Sequence, residues 1–180
     1  HDHDDLIRAE GDPHFWLDVA NAMHYVEVIR DHLVELDAAN QSGYEQRAAA
    51  YLEELGTLDD EVRAAVAAIP EGQRQLVVMH DAYQYLANAY GFDLAAALLP
   101  AGAQQDPSAG AVVDLIELIE DLGVGAIYRE PQFSASVLDS IASETGVEVL
   151  MLHSTYAEDI DSYVDLMRAN ADALVDGLGR

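Results

Sequence analysis

From Gln75 onward the chain alternates short, continuous apolar runs with amphipathic stretches, and this alternation constrains its fold more than any other feature. The runs are Leu76 to Met79, Leu94 to Leu98, Gly125 to Arg129 and Val147 to Leu152. None switches between apolar and polar from residue to residue, which is how parallel strands buried on both faces read. Between them lie residues 82–90, stopped by Gly91; residues 108–122, with Val112, Leu115, Ile116, Ile119 and Leu122 on one face; and residues 134–145, stopped by Gly146. A last helix is expected to carry Tyr163, Leu166, Met167, Asn170, Leu174 and Leu178. The pattern predicts an α/β fold with a four-stranded, parallel-type sheet and flanking helices.

Two helices are expected before the sheet. Ala22, Val26, Ile29, Leu33 and Leu36 recur at intervals of three or four and form one apolar stripe, broken from Asp37 to Gly43. A longer helix over 42–69 is opened by a capping box of Ser42 and Glu45 and closed by Pro70. Its apolar seam is Tyr44, Ala48, Tyr51, Leu52, Leu55, Val62, Val66 and Ile69, with Gly56 weakening the middle. At about 1.5 Å per residue it spans roughly 40 Å, more than a compact half-domain requires, and reads as a strut.

Charge narrows the partners. Among 180 residues there are 34 acidic and eight basic side chains, a formal charge of -26, and all eight basic residues are arginine. Such a field repels phosphate backbones and anionic headgroups, so nucleic acid is excluded and cations are the natural guests. A hydrophobic fraction of 51% supplies a core, so the acidity reads as a solvated surface. The absence of cysteine removes disulfides, thiolate metal sites and cysteine nucleophiles together. No apolar run approaches the roughly 20 residues of a membrane span, and the chain opens with His1-Asp2-His3-Asp4-Asp5 where a signal peptide would be basic and then apolar. It therefore reads as soluble, either a mature or trimmed form or one that never carried an export signal.

In open parallel sheets ligands bind beyond the carboxyl ends of the strands. His80 follows the first run, Glu130 the third and His153 the fourth, so three potential metal ligands or acid-base groups leave one edge of the sheet. His14 is a fourth candidate, within Asp12-Pro13-His14-Phe15-Trp16-Leu17-Asp18, where Asp12 or Asp18 can hold the second ring nitrogen. Glu130, ahead of Pro131, equally suits a cap on the helix beginning near Ser134. His24 and His32 fall on helical surfaces. His1 and His3 are either weak metal collectors or solvated loop. Trp16, Tyr83, Tyr85 and Tyr128 are expected as cleft walls or core, and Asn170 as a buried hydrogen-bonding peg.

Residues 12–18, His80-Asp81-Ala82-Tyr83 with Tyr85, Glu130-Pro131-Gln132, and Tyr163 through Met167 to Asn170 together resemble the successive signatures of the zinc/manganese substrate-binding proteins of ABC transporters. The resemblance runs in order from about residue 12 to the end. It implies two α/β lobes joined by a long rigid helix, with one metal held between them. Residues 1–41 are then the tail of the N-terminal lobe with the end of a His/Asp-rich loop, 42–69 the linker helix, and 70–180 the C-terminal metal-binding lobe. His14 is implied as the interlobe ligand and His80 as the first ligand of the second lobe. His153 falls where most members have an aspartate that completes the site. Manganese-type members tend to carry glutamate at the position of His80, so zinc is expected over manganese. The resemblance also implies a periplasmic or cell-surface location, a signal peptide in the precursor, a monomer, and an ABC permease as partner. The family's first lobe precedes the Asp-Pro-His motif, so a companion N-terminal lobe segment is expected.

Two functions follow. The first is capture of zinc between two lobes for delivery to the permease, without covalent chemistry. Imidazoles must be deprotonated to bind, so capture should weaken as pH falls toward about 6.5. The second is a metal-dependent hydrolase in which a histidine-bound zinc water is activated by Glu130. No His-Glu-x-x-His helix, nucleophile elbow or Gly-rich phosphate loop supports it.

Overall fold

The computed structural model describes residues 12–99, 107–133, 136–158 and 160–179. His1 to Asp5, read as a metal-collecting or solvated run, lie outside the described residues, as does Ser134. The elements in chain order are α1 (Val19–Leu36), α2 (Gln41–Ala67), β1 (Gln75–His80), α3 (Gln84–Tyr90), β2 (Asp93–Leu99), α4 (Ala109–Leu122), β3 (Ala126–Arg129), α5 (Ser136–Thr145), β4 (Glu148–Met151) and α6 (Tyr163–Leu178).

The four strands form one sheet in the order β2-β1-β3-β4, with every neighbouring pair parallel. From β1 the chain moves to one side to make β2 and then crosses to the other to make β3. The crossover therefore opens beside the carboxyl ends of β1 and β3, where an open α/β sheet offers a ligand crevice.

Alternation along β1 divides the core. Leu76 and Val78 face a layer built with Leu55, Leu58, Val62 and Val66 of α2, Leu86 and Tyr90 of α3, and Leu166, Met167 and Leu174 of α6. Val77 and Met79 face a second layer with Leu115 and Ile119 of α4 and Leu138 and Ile141 of α5. Both faces are covered, so these strands have no solvent side to mark with polar residues.

The helix ends follow local chemistry. Asp18 caps α1 by accepting from the Ala20 N–H, Ser108 caps α4 through Ala111, and Ser162 caps α6 through Asp165. Gly91, Gly123 and Gly146 close α3, α4 and α5 with φ of 78°, 63° and 77°, a conformation that costs glycine little.

The expected start of α2 is not what the structure shows. A single turn of 3-10 helix at Ala38–Asn40 runs directly into α2 at Gln41, which leaves Ser42 inside the helix. Glu45 accepts from the Gln41 side chain at 2.7 Å, so no Ser42–Glu45 capping box forms. The helix ends at Ala67, two residues before the expected Ile69, which is nevertheless buried. Leu58, absent from the expected seam, is also fully buried.

Helix α2 packs on two neighbours. Its first half, through Tyr44, Arg47, Ala48 and Tyr51, forms an apolar groove with Val26, Ile29 and Leu33 of α1. Its second half, through Glu61, Val62 and Ala65, meets Arg168, Ala171 and Asp172 of α6. Arg63 adds a tie to α3, donating to the Ala89 carbonyl at 2.9 Å and lying 5.1 Å from the Tyr90 ring centre. Among the described residues no helix is long and apolar enough to cross a membrane.

Burial pushes the phenols of Tyr83, Tyr90, Tyr128 and Tyr163 up from their ordinary value. An acid raised in the folded state stays neutral there while the unfolded chain ionises. Its stabilising effect is complete below the ordinary phenol value of about 10 and is lost as pH rises from there through the folded value. Urea midpoints are therefore expected to fall steadily above about pH 10, and a flat profile to pH 12 would contradict this burial.

Candidate metal centre

His80 is the last residue of β1, paired in register with Leu99 of β2. The chain turns immediately afterwards, with the Ala82 N–H donating to the His80 carbonyl at 2.9 Å. This turn leaves the imidazole at the crossover between β1 and β3, and the His80 side chain is 7% exposed. Phe133 stands against one side of the ring, with centres 5.2 Å apart, and Tyr83 lies 6.5 Å away.

Glu130 follows β3, adjacent to β1, and is 1% exposed. One carboxylate oxygen, Oε1, meets His80 Nδ1. The other, Oε2, accepts from Gln132 Nε2 at 2.7 Å and from the Ser154 hydroxyl. A carboxylate on Nδ1 holds the proton there and leaves the Nε2 lone pair to bind a metal. Burial raises the Tyr83 phenol, and the charge of Glu130 beside it raises it further.

His14 reaches the same place from the opposite end of the sequence. Pro13 precedes it, and a 3-10 turn over Phe15–Leu17 follows, closed by the Leu17 N–H on the His14 carbonyl at 3.1 Å. Leu17 and Val19 are fully buried and anchor this segment in the core. Asn21 fastens the turn by donating to the Phe15 carbonyl at 2.9 Å. Asp12 Oδ1 accepts from the His14 main-chain N–H at 2.9 Å and lies 2.7 Å from His14 Nδ1. Of the two aspartates flanking the motif, Asp12 holds the ring and Asp18 caps α1. The His14 and His80 ring centres are 5.2 Å apart, edge to face. Both imidazoles thus carry a carboxylate on Nδ1, the arrangement typical of histidines that bind metal through Nε2.

His153 lies in the segment after β4, on the same sheet edge, and is 7% exposed. Asn170 of α6 grips its backbone, accepting from the His153 N–H at 2.7 Å and donating to the His153 carbonyl at 2.8 Å. Asn170 is therefore the buried peg that its position on an apolar helix face predicts. Among the described residues no group of three or more His, Asp and Glu side chains is drawn together closely enough to hold one ion. The structure brings His14 and His80 together and leaves His153 outside such a group.

Other expectations resolve individually. His24 and His32 lie on the exposed face of α1, His24 beside Glu27 and His32 donating to the Val28 carbonyl. Tyr83 and Tyr128 are core residues, while Trp16 and Tyr85 border the site, Tyr85 against Phe15. The reading of Glu130 as a general base is corrected. Both of its oxygens are engaged by donors, and one is fixed on His80 Nδ1, so it orients a ligand and is not free to take a proton from water. Ser154 was not singled out by sequence reasoning, and Gln132 entered only as part of the Glu130-Pro131-Gln132 signature, without a role. The signal available was their position, one residue after His153 and two after Glu130.

Comparison with known proteins places the chain among metal-binding substrate-binding proteins. Residues 1–177 match the family model described as zinc-uptake complex component A, periplasmic. The manganese-binding lipoprotein MntA of Halalkalibacterium halodurans is 34% identical over 174 residues, covering 94% of this chain and 58% of that protein. The iron-binding protein YfeA of Yersinia pestis is 32% identical, covering 93% of this chain and 55% of its own length. Among solved structures, the periplasmic zinc-binding protein TroA of Treponema pallidum superposes with a TM-score of 0.86 at 27% identity, over 97% of this chain and 67% of that one. The chain spans little more than half the length of the curated relatives it matches.

Proposed function

We propose that this chain, which belongs to the family of the periplasmic zinc-uptake complex component A, is the metal-holding part of an extracytoplasmic substrate-binding protein that captures a transition-metal ion for an ABC permease. The observation that carries this reading is the pair of imidazoles, His14 and His80, 5.2 Å apart and each backed by a carboxylate on Nδ1. Two neighbouring imidazoles from separate segments, each with Nδ1 held by a carboxylate and Nε2 left to bind, suit a divalent ion carried as cargo. Glu130 is held away from the role of a base, so the chemistry is binding and release, with no covalent step.

The relatives' printed names span manganese, iron and zinc. Zinc is the proposed cargo here, because nitrogen donors favour it over manganese, which prefers oxygen ligands. His153, at the same sheet edge, is proposed as the third ligand once a bound ion turns its imidazole inward on a backbone held by Asn170, with water or a residue of the rest of the protein as the fourth. The proposed organisation is a tail of the first lobe at 1–41, a linker helix at 42–69 and the second lobe at 70–180.

A companion N-terminal lobe segment is proposed to cover the outer face of α1, where Ile29 is 59% and Leu36 84% exposed beside the groove shared with α2. Contiguous apolar surface of this kind marks an interaction site. The assembled protein is proposed to act as a monomer outside the cytoplasm.

Competition titrations of the 180-residue chain with zinc and manganese test the reading. Zinc is expected to bind more tightly. His14→Ala and His80→Ala are each expected to weaken it beyond the roughly 10- to 100-fold that follows loss of an outer hydrogen-bond partner. His153→Ala should weaken zinc binding by a smaller factor. Undiminished zinc binding in the His14→Ala/His80→Ala double variant would refute the site, and tighter binding of manganese would refute the choice of metal.

A further inference from the structure

His14 and His80 are brought together from positions 66 residues apart, so something other than chain proximity must hold their rings at a fixed separation. Ser154 touches both sides of the pair. Its carbonyl accepts from Trp16 Nε1 at 2.9 Å, two residues from His14. Its hydroxyl donates to Glu130 Oε2, whose other oxygen holds His80 Nδ1. Gln132 Nε2 braces the corner, reaching Glu130 Oε2 at 2.7 Å and Ser154 Oγ at 3.3 Å. Ser154 is itself 3% exposed, and its neighbour His153 is fastened to α6 through Asn170. Tyr163, the first residue of α6, donates to the Trp16 carbonyl at 2.7 Å. A closed circuit of hydrogen bonds therefore runs from the His14 segment through Trp16, Ser154 and Glu130 to His80, and returns across the ring contact.

We propose that Ser154 is a positioning residue for metal capture: its hydroxyl locks Glu130 onto His80 while its carbonyl locates the His14 segment through Trp16, so that one residue after β4 sets both the tautomer of one ligand and the approach of the other. This rests on the reading of His14 and His80 as metal ligands. The physical reason is that a carboxylate with two free rotors orients an imidazole only if its second oxygen is fixed. Here the second oxygen is fixed by the Ser154 hydroxyl and by the Gln132 amide, which itself leans on Ser154. In buried surroundings such linked bonds reinforce one another, and losing one member loosens the rest. Metal sites whose outer partners are removed typically lose roughly 10- to 100-fold in affinity.

Three variants of the 180-residue chain separate this role from general packing. Ser154→Ala deletes the hydroxyl and keeps the carbonyl; Ser154→Thr keeps both; Trp16→Phe keeps an aromatic ring and deletes the indole N–H. Nitrogen-15 NMR of the metal-free protein at pH 8 reads the His80 tautomer directly. Ser154→Ala is expected to mix the two tautomers and to lower zinc affinity by about 10-fold or more, with the preference for zinc over manganese narrowed. Ser154→Thr should restore both properties. Trp16→Phe should lower zinc affinity while leaving the His80 tautomer as in the parent. An unchanged tautomer in Ser154→Ala overturns the proposal, and so does a changed tautomer with zinc affinity within twofold of the parent. The tautomer is read without metal. If the parent chain binds no zinc, the reading of its function falls, while the spectrum still decides whether Ser154 orients His80.

Discussion

Asn170→Leu is expected to lower the unfolding free energy by about 2–6 kcal/mol, because it strips partners from two buried backbone groups at once. The parallel ladder ends with Met151 opposite Arg129, and the Leu152 N–H still finds the Arg129 carbonyl at 2.9 Å. Beyond that point the chain leaves the sheet edge. The N–H and carbonyl of His153 have their bonds to the Asn170 amide at 2.7 and 2.8 Å instead of a strand. Asn170 is 1% exposed, and leucine of similar bulk would fill the space without supplying either bond. Each orphaned backbone group costs roughly 1–3 kcal/mol, against which extra apolar burial recovers little, since asparagine's own carbon is already buried. Total stabilities run to about 5–15 kcal/mol, so this single change can halve the margin. Urea denaturation checks it: the midpoint should fall with an unchanged slope, and an unmoved midpoint would mean that the His153 backbone finds other partners.

The second large effect is expected at Gly177. Near its carboxyl end α6 presses against β3 and β4, and Gly177 is the residue at closest approach. A Cβ added there would stand 2.5 Å from the Tyr128 hydroxyl, 2.7 Å from Ala126 Cβ and 2.9 Å from Leu150 Cδ1. Two opposing terms decide the outcome. Replacing a helical glycine by alanine gains about 0.5–1 kcal/mol in backbone entropy. Forcing extra atoms into a filled core costs about 1–3 kcal/mol, sometimes more. Ala126 Cβ is fixed to the strand backbone and cannot swing aside, so the steric term wins. Gly177→Ala should be destabilising, and Gly177→Val, with two further methyls and a stiff side chain, should cost about 3 kcal/mol or more. Thermal melts of the two variants in order of size test this, and equal melting temperatures for Val and Gly would show that α6 can lift off the sheet freely.

The four strands were legible because both faces of the sheet are covered, so apolar runs need no alternation, and the helix stops expected at Gly91 and Gly146 each answer a left-handed residue. Ser42 misled because a serine followed three residues later by glutamate satisfies the capping-box pattern anywhere. The preceding turn at Ala38–Asn40 already supplies the helical backbone, and Gln41 takes Glu45. Leu58 was missed because a narrow seam drawn through Leu55 and Val62 skips the residue between them that also points inward. At the site, His14 and His80 were visible as residues beyond stiffened or strand-end positions. The roles of Glu130, Ser154 and Gln132 depend on β1 lying beside β3 and β3 beside β4, an adjacency no linear spacing encodes.

The two-sided packing of α2 has a mechanical corollary. Its first half is clamped by α1 through Tyr44 to Tyr51, and its second half by α6 through Glu61 to Ala65, with Arg63 riveting it to α3. Gly56 lies in the span between the clamps, and a Cβ there would meet nothing within 4 Å. A beam fixed at both ends flexes where its material is softest, and glycine is the least stiff helical residue in this rod. The angle between the two clamped halves is therefore governed at one joint within the span, about 22 Å from the Gln41 end of the helix and about 17 Å from the Ala67 end on a rise of roughly 1.5 Å per residue.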